Sequence, residues 1–208
     1  FLCQVKFSIV IFWESIMFTG IIEEIGIVEK NKSGQLIIQC SKILSDAQLG
    51  DSIAINGVDL TISKIFPNSL GFDIMPETFR KSNLVNSIEK SKVNLERSLT
   101  LQTKLSGHIV RGVIETTCNL FSMDKEDNAI IATYQVSPQY LNYILKKGPV
   151  AIDGVSLTVI SKNKDSFSVS LVEWTQKNTN LLERKIGALI NLETDILARY
   201  VEQLIDRD

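Results

Sequence analysis

The sequence predicts an all-β protein built from two copies of a small antiparallel barrel or sandwich, followed by one helix. A ten-residue stretch, Ile-Ala-Ile-Asn-Gly-Val-Asp-Leu-Thr-Ile at 53–62, recurs as Val-Ala-Ile-Asp-Gly-Val-Ser-Leu-Thr-Val at 150–159. Each copy contains two alternating apolar strands around an Asn-Gly or Asp-Gly turn, which is a strong hairpin signal. Four pairs of identical residues also lie 97 positions apart: Gly57 and Gly154, Thr78 and Thr175, Asn83 and Asn180, and Asn94 and Asn191. This long period indicates a duplicated domain rather than a solenoid of short repeats.

Alternating apolar residues predict the strands of the first half in chain order. We expect them at 18–30, 35–40, 53–62 (the hairpin), 72–75 and 93–96. Ser33 and Gly34 are turn residues between the first two strands. Residues 41–49 suit a short helical turn, after which Gly50 and Asp51 lead into the hairpin.

The second half repeats this order. Residues 109–115 take the place of 18–23, and residues 130–136 take the place of 35–40. The connection between the halves lies near 99–107. Many short strands separated by frequent turns predict a small antiparallel barrel or sandwich in each half, and a barrel removes exposed strand edges by closure.

The chain ends in a predicted amphipathic helix. Thr194 and Asp195 are suited to cap it, and an apolar stripe at helical spacing follows, made of Ile196, Leu197, Tyr200, Val201 and Leu204. The stripe has two interpretations. It can pack on its own barrel, or it can contact another subunit. The position of the helix outside both repeats makes the subunit contact as well supported as packing on the barrel.

Residues 1–16 require a separate interpretation. They are apolar and aromatic, but Lys6 and Glu14 interrupt the apolar run, and no small-residue cleavage site follows. The segment is too short to span a bilayer. We therefore expect Met17 to be the true start, and residues 1–16 to be a leader that is not part of the fold.

Composition argues against several partner classes. The formal net charge is −2, and no run of Lys or Arg occurs, which disfavours nucleic acid and membrane partners. An oligonucleotide-binding barrel would also need a basic face with exposed aromatic residues. Cys3, Cys40 and Cys118 lack metal-ligand spacing, and His108 is the single histidine, so no metal is expected. These features predict a reduced, cytoplasmic protein.

The two hairpins place polar residues on matching strand faces. Side chains alternate along a strand, so Asp59 and Thr61 share a face, as do Ser156 and Thr158. In a single hairpin this pattern indicates a half-buried strand with a wet outer face. Its repetition favours two ligand-binding half-sites. Two related half-sites suit a reaction between two copies of one molecule, because each half holds one copy in position.

Five motifs occur together across residues 17–205. They are Met-Phe-Thr-Gly-Ile-Ile-Glu-Glu at 17–24, Leu-Gly-Asp-Ser-Ile-Ala-Ile-Asn-Gly at 49–57, Met-Pro-Glu-Thr at 75–78, Gly-His-Ile-Val-Arg-Gly at 107–112 and the second hairpin at 150–159. Together they resemble the riboflavin synthase (alpha chain) family. The resemblance implies two six-stranded Greek-key barrels at 17–103 and 104–194, a C-terminal oligomerisation helix at 195–208, and a homotrimer.

The resemblance also implies an activity. It is the dismutation of two 6,7-dimethyl-8-ribityllumazine molecules, which gives riboflavin and 5-amino-6-ribitylamino-uracil by transfer of a four-carbon unit. The family needs no cofactor and no metal, and lumazine synthase is a candidate protein partner. The chemistry requires loss of a proton from the C7 methyl group of one lumazine and addition of a nucleophile at C7 of the other.

The resemblance assigns lumazine contacts to both halves. In the first barrel they are Gly20, Ile21, Ile22, Asp59, Leu60, Thr61, Asp73, Ile74, Met75, Pro76, Glu77 and Thr78. In the second barrel they are Gly112, Val113, Ile114, Lys147, Ser156, Leu157, Thr158, Ser170, Leu171, Val172, Glu173, Trp174 and Thr175. In the family a ligand lies between the first barrel of one subunit and the second barrel of its neighbour.

Three residues are candidates for catalysis. Ser156 and Thr158 would assist proton transfer and polarise the ring, although the same hydroxyls could only orient the pteridine. Asp59 stands where the family usually has cysteine. It would have to be held protonated by burial or act as the base itself.

Two further departures from the family pattern lie at expected contact positions. Val113 stands where the second histidine of Gly-His-x-x-Gly-His is expected, and Glu173-Trp174-Thr175 replaces Pro-His-Thr or Pro-Glu-Thr. Such changes suit an alternative function, that of a non-catalytic lumazine- or flavin-binding paralogue of the antenna type. The second barrel nevertheless retains Lys147 and Asp153 together with both hydroxyls, which favours an enzyme.

Overall fold

The computed structural model describes residues 17–32 and 34–205, so the predicted leader at 1–16 lies outside the described residues. The first barrel comprises β1 (Glu24–Lys32), β2 (Gln35–Gln39), β3 (Ser52–Ile55), β4 (Val58–Ile65), β5 (Ser69–Asp73) and β6 (Lys92–Arg97). The second comprises β7 (Thr116–Glu126), β8 (Ala129–Gln135), β9 (Pro149–Ile152), β10 (Val155–Lys162), β11 (Ser166–Leu171) and β12 (Leu189–Thr194).

Both barrels are closed, antiparallel and six-stranded, and they have the same topology. The strands follow one another around the first barrel as β1-β2-β5-β4-β3-β6, and the second barrel has the equivalent cyclic order. In each barrel three consecutive hairpin-connected strands are joined by a fourth that returns beside the first of them, which is a Greek key. The predicted fold class is therefore confirmed.

The two hairpins have the turn geometry that their sequences predict. Asn56 and Gly57 have φ of 46° and 77°, and Asp153 and Gly154 have φ of 45° and 78°. Positive φ at both central residues is the type I′ geometry that Asn-Gly and Asp-Gly favour. The two turns also meet, because a Cβ added to Gly57 would lie 2.7 Å from the backbone nitrogen of Gly154. The hairpin tips therefore form part of the contact between the barrels.

Each barrel encloses its own apolar core. In the second barrel Tyr134 and Phe167 stack with ring centroids 5.6 Å apart. A small separate cluster of Phe18, Ala54, Val110 and Ala151 is also buried. Phe18 and Val110 form an isolated antiparallel bridge, with N–H to O distances of 2.7 and 3.0 Å.

A buried polar network also joins the two barrels. It contains the asparagines that define the sequence repeat, Asn83, Asn94, Asn180 and Asn191, together with the turn residues Asn56 and Asp153. The Asn83 side-chain amide donates to Asp153 at 2.7 Å, and that of Asn180 donates to Asn56 at 3.1 Å. Arg184 pairs with Asp153 at 2.6 Å. Because buried polar groups need partners, the network restricts how the barrels can be oriented.

The segments preceding the first strand of each barrel differ from the prediction. The strand expected at 18–30 begins only at Glu24. The strand expected at 109–115 is wrong, because β7 begins after that range, at Thr116. Residues 17–23 and 109–115 instead run between the barrels, where their backbone groups bond to side chains and to the opposite barrel. The strand expected at 72–75 ends at Asp73, and Pro76 then starts a helix.

The remaining elements are short helices. They are α1 (Pro76–Lys81), α2 (Pro138–Leu141), α3 (Glu173–Asn178), α4 (Ile196–Ile205) and the 3-10 turns Ile43–Ser45, Asn83–Asn86 and Leu181–Glu183. The helical turn expected within 41–49 and the terminal helix are thus confirmed. The Leu197 N–H donates to the Asp195 carboxylate at 3.0 Å, as expected of a cap. Within 17–32 and 34–205 no helix has the length and apolar character needed to cross a membrane.

Candidate functional site

The first half-site is a cavity of about 320 Å³ built from both barrels. Val58, Asp59, Met75, Glu77, Thr78, Lys81 and Ser82 line it from the first barrel, and Gly112, Val113 and Ile114 line it from the segment preceding the second. The Asp59 N–H donates to the Gly112 carbonyl oxygen at 2.9 Å. The Ile114 side chain packs against the core of the first barrel.

The second half-site is the equivalent surface around Ser156. The Ser156 N–H donates to the Gly20 carbonyl oxygen at 2.8 Å, and Ile22 packs against the core of the second barrel. The repeat offset places Val172 and Trp174 where the first half-site has Met75 and Glu77. Val172 and Trp174 are both exposed.

The structure groups the predicted contact residues differently from the sequence. Gly20 and Ile22 were expected to serve the first barrel, and Gly112 and Ile114 the second. The structure instead brings each pair to the opposite barrel, because 17–23 and 109–115 cross between the barrels. Ile21 lies elsewhere and lines a cavity of about 720 Å³ bordered by residues 98–106.

Several other predicted contacts have buried side chains. Leu60, Ile74, Leu157 and Leu171 belong to the barrel cores, so only their backbone groups are available to a ligand. By contrast, the predicted contacts Thr61, Asp73, Pro76, Lys147, Thr158 and Glu173 are exposed, and Ser170 and Thr175 are half-buried. The strand alternation therefore separates the core leucines from the hydroxyls as expected.

Asp59 lies at the inner wall of the first half-site. It is half-buried, and among the described residues its Oδ1 atom is buried without a hydrogen-bond partner. Burial raises the pKa of Asp59, while a hydrogen bond from Ser52 lowers it. A carboxyl group in this position is therefore easier to protonate than an exposed one.

His108 contacts the candidate catalytic serine, a role the sequence did not predict. Its Nδ1 lies 2.7 Å from the Ser156 hydroxyl oxygen, and its Nε2 is buried without a partner among the described residues. Burial lowers the pKa of His108, although the charge of Asp195 raises it, so the neutral form of the ring is favoured. A neutral imidazole has one donor and one acceptor nitrogen, so it can exchange a proton with the serine hydroxyl. The Gly-His motif was the available signal.

Two buried glutamates, which the sequence also did not single out, hold residues 17–23 and 109–115, which we call the crossing segments. Glu96 accepts hydrogen bonds from the Thr19 N–H at 2.7 Å, the Thr19 hydroxyl at 2.7 Å and the Gly20 N–H at 3.0 Å. Glu193 accepts from the N–H groups of Arg111, Gly112 and Val113 at 2.6, 3.0 and 3.2 Å. Their position in the repeated Asn-Leu-Glu motif was the signal available.

Burial affects the ionisation of both glutamates. It raises the pKa of each to about 7, although the hydrogen bonds from the crossing segments lower it. The carboxylates are thus ionised above neutrality, where they are the strongest acceptors for these N–H groups. In the part of the chain that the structure describes, no group of three or more His, Cys, Asp or Glu side chains is arranged to hold a metal ion.

Comparison with known proteins identifies relatives of both sequence and fold. The lumazine binding domain family model matches residues 19–98 and 111–195. The chain is 41% identical over 193 residues to riboflavin synthase from Actinobacillus pleuropneumoniae, covering 91% of this chain and 90% of that protein. It is 36% identical over 195 residues to riboflavin synthase from Bacillus subtilis, covering 92% and 91%. It is 38% identical over 205 residues to riboflavin synthase from Saccharomyces cerevisiae, covering 91% and 86%.

Solved structures share the fold. The crystal structure of LumP complexed with riboflavin matches with a TM-score of 0.80 and 23% identity, covering 86% of this chain and 99% of that one. The complex of LumP with 6,7-dimethyl-8-(1'-D-ribityl) lumazine matches with a TM-score of 0.76 and 22% identity, over the same shares of the two chains. At these identities the likeness concerns the fold.

Proposed function

This chain belongs to the riboflavin synthase family, and we propose that it converts two molecules of 6,7-dimethyl-8-ribityllumazine into riboflavin and 5-amino-6-ribitylamino-uracil. A four-carbon unit passes from one lumazine to the other in this dismutation. The duplicated half-site is the observation that carries the proposal. Each copy combines a hairpin strand with a crossing segment, so two molecules of one substrate can be held in equivalent surroundings.

In the second half-site Ser156 and His108 are suited to move a proton. The hydroxyl lies 2.7 Å from Nδ1, within the range of a strong hydrogen bond. A lumazine whose acidic C7 methyl group reaches the hydroxyl can lose a proton through it to the neutral ring. Thr158 is exposed two residues along the same strand face, where its hydroxyl can donate to the pteridine.

In the first half-site Asp59 takes the place of the cysteine usual in the family. If it stays protonated, it can donate a hydrogen bond to a developing anion; if it is ionised, it can act as a base. The raised pKa of Asp59 and its Oδ1 atom, which has no partner within 17–32 and 34–205, fit either role. Backbone groups of the crossing segment at Gly112 and the side chain of Lys81 complete the polar lining.

The test of the proposal is direct. Purified protein incubated with 6,7-dimethyl-8-ribityllumazine should produce riboflavin, followed by its absorbance, with one riboflavin formed for two lumazines consumed. Ser156→Ala is the matched variant and should slow the reaction. Tight lumazine binding without riboflavin formation would instead favour the antenna-type binding protein, which the departures at Asp59 and Val113 make the second candidate.

The assembly we propose is a homotrimer in which α4 contacts a second copy of the chain. Leu197, Tyr200, Val201 and Leu204 are 54–66% exposed, so the apolar stripe is not covered by its own barrel. A cavity of about 440 Å³ lies between α4 and residues around 142–149. Changing Leu197 and Val201 to Asp should lower the sedimentation coefficient, whereas Gln203→Glu, on the same helix, should not. An unchanged oligomer in the folded double variant would exclude α4 from the interface.

The location and protein partner remain those suggested by the sequence. We propose a cytoplasmic location, which is compatible with the buried free thiols of Cys40 and Cys118. Association with lumazine synthase is tested by co-sedimentation of the two purified proteins. Separate sedimentation at micromolar concentrations of both would contradict a stable complex.

A further inference from the structure

Each half-site borders a crossing segment whose backbone N–H groups donate to a buried carboxylate of the other barrel. We infer that Glu193, on β12 of the second barrel, positions the first half-site, and that Glu96, on β6 of the first barrel, positions the second. Both are positioning residues rather than catalytic ones, because each acts through a crossing segment. The inference rests on the proposed function for the identity of the ligand, but not for the arrangement of the segments.

The hydrogen bonds define how each glutamate holds its segment. Oε1 of Glu193 accepts from the Arg111 N–H, and Oε2 accepts from the Gly112 and Val113 N–H groups. Glu193 is 4% exposed. Three consecutive backbone donors are thereby directed at one carboxylate, away from water, where charge-assisted hydrogen bonds are strong.

The same segment then forms a wall of the opposite barrel's half-site. The Gly112 carbonyl oxygen accepts from the Asp59 N–H at 2.9 Å, on β4 of the first barrel. Gly112, Val113 and Ile114 line the first half-site. A shift of residues 111–113 away from Glu193 would therefore move this wall directly, whereas Thr19 and Gly20 keep their own hydrogen bonds to Glu96.

The first barrel repeats the arrangement in the opposite direction. Glu96 is also 4% exposed and holds the Thr19 and Gly20 N–H groups. The Gly20 carbonyl oxygen accepts from the Ser156 N–H at 2.8 Å, on β10 of the second barrel. The two glutamates lie 97 residues apart, which is the offset of the repeat, so each half of the chain contains the same glutamate and the same hydrogen-bonded segment.

Isosteric variants separate this arrangement from a general structural role. Glu193→Gln and Glu96→Gln each keep one acceptor oxygen but present an amide N–H₂ group to a backbone donor, and they serve as controls for each other. If either variant does not fold, Glu→Asp at the same position replaces it. Aspartate keeps the carboxylate charge but is one methylene shorter, so the carboxylate lies farther from the backbone donors.

Tryptophan fluorescence can report on each half-site separately. Trp13 and Trp174 are the two tryptophans of the chain, so Trp13→Phe leaves Trp174 to report on the second half-site. Adding Trp174→Phe and Glu77→Trp to Trp13→Phe moves the reporter to the equivalent position of the first half-site. Quenching by 6,7-dimethyl-8-ribityllumazine then gives an apparent Kd for each half-site.

The expected result is a crossed pattern. Glu193→Gln should weaken lumazine binding about tenfold or more at the reporter on position 77 and less than about threefold at Trp174, because a lost charge-assisted hydrogen bond affects only one wall. Glu96→Gln should do the reverse. Equal weakening at both reporters, or weakening confined to the variant's own barrel, would overturn the inference.

Amide hydrogen exchange tests the same arrangement without ligand. Glu193→Gln should speed exchange at 111–113 about tenfold or more and leave 19–20 within about twofold, and Glu96→Gln should do the opposite. Unchanged exchange in the targeted segment would refute the role of the carboxylate. Absence of lumazine quenching in both reporter proteins when they keep Glu96 and Glu193 would refute the proposed function, while the exchange measurement would still decide the inference.

Discussion

Gly112→Ala tests whether the crossing segment must lie directly against β4. Gly112 has φ of +75°, and a Cβ added there would lie 2.6 Å from the Asp59 Cβ and 3.0 Å from the Asp59 backbone nitrogen. The new methyl group would therefore push the segment away from the strand and strain or break the Asp59 to Gly112 hydrogen bond. Gly187 is a matched control, because it has φ of +84° and no heavy atom of residues 17–32 or 34–205 lies within 4 Å of an added Cβ.

Gly112→Ala and Gly187→Ala share the free-energy cost of an alanine at left-handed φ, but only Gly112→Ala also disrupts a contact with Asp59. An alanine at left-handed φ costs about 1–2 kcal/mol, and the reduced entropy of the unfolded chain offsets about 0.4–1 kcal/mol of this. Gly187→Ala should thus destabilise by about 1 kcal/mol. Gly112→Ala adds the loss of one backbone hydrogen bond, about 0.5–1.5 kcal/mol, and the displacement of Asp59, for a total of about 2–3 kcal/mol.

Thermal unfolding and lumazine binding together measure the difference. At about 2–4 °C per kcal/mol for a chain of this size, Tm should fall by about 3 °C in Gly187→Ala and by about 8 °C in Gly112→Ala. Binding at the first half-site should weaken about tenfold in Gly112→Ala alone. If the two variants have equal Tm and equal affinity, close contact between the segment and β4 is not required, and the reasoning fails.

Three further predictions concern the ionisable and substituted groups. His108→Asn, which keeps a polar atom near Nδ1, should retain more turnover than His108→Ala in steady-state kinetics; equal rates would show that the hydrogen bond to the serine is dispensable. Burial raises the pKa of Glu96 and Glu193 from 4.5 to about 7, so the folded state binds more protons than the unfolded state between these two pH values. The unfolding free energy should therefore fall as the pH rises through that window. Urea denaturation should show a shallower fall in either Gln variant, and an unchanged slope in both would contradict this assignment. Asp59→Cys combined with Val113→His should raise kcat above that of either single variant, and a double variant that binds lumazine equally but reacts no faster would show that neither departure limits the chemistry.

Local sequence patterns were sufficient to predict the two hairpins and the duplication of the domain. An Asn-Gly or Asp-Gly turn requires positive φ at two adjacent residues, and this is a property of four residues that tertiary contacts hardly alter. Asn56 and Asp153 accordingly have the φ values expected of them. The alternation of apolar and polar residues likewise assigned Leu157 to the core and Ser156 to the outer face, because strand geometry has a fixed period of two.

The repeat markers were identified correctly, but their role depended on the folded structure. Asn94 and Asn191 indicate duplication by spacing alone. In the structure they are fully buried and donate across the junction, the first to the Asp153 carbonyl oxygen at 2.9 Å and the second to that of Asn56 at 2.8 Å. A spacing in sequence cannot distinguish a residue that binds ligand from one that joins two barrels, since both recur at the same offset.

The sequence by itself determined the β class, the duplication, the terminal helix and the hydroxyl and carboxyl groups on the hairpin strands, because each of these follows from short-range periodicity, turn chemistry or repetition. These patterns left a barrel and a sandwich open for each half, and the resemblance to the riboflavin synthase family implied closed barrels. Only the tertiary structure decided that residues 17–23 and 109–115 cross to the opposite barrels. It also decided that His108 contacts Ser156 and that Glu96 and Glu193 hold the crossing segments. The physical reason is that these bonds join residues 48 to 82 positions apart. Their formation depends on the closure and mutual orientation of both barrels, which no local pattern contains.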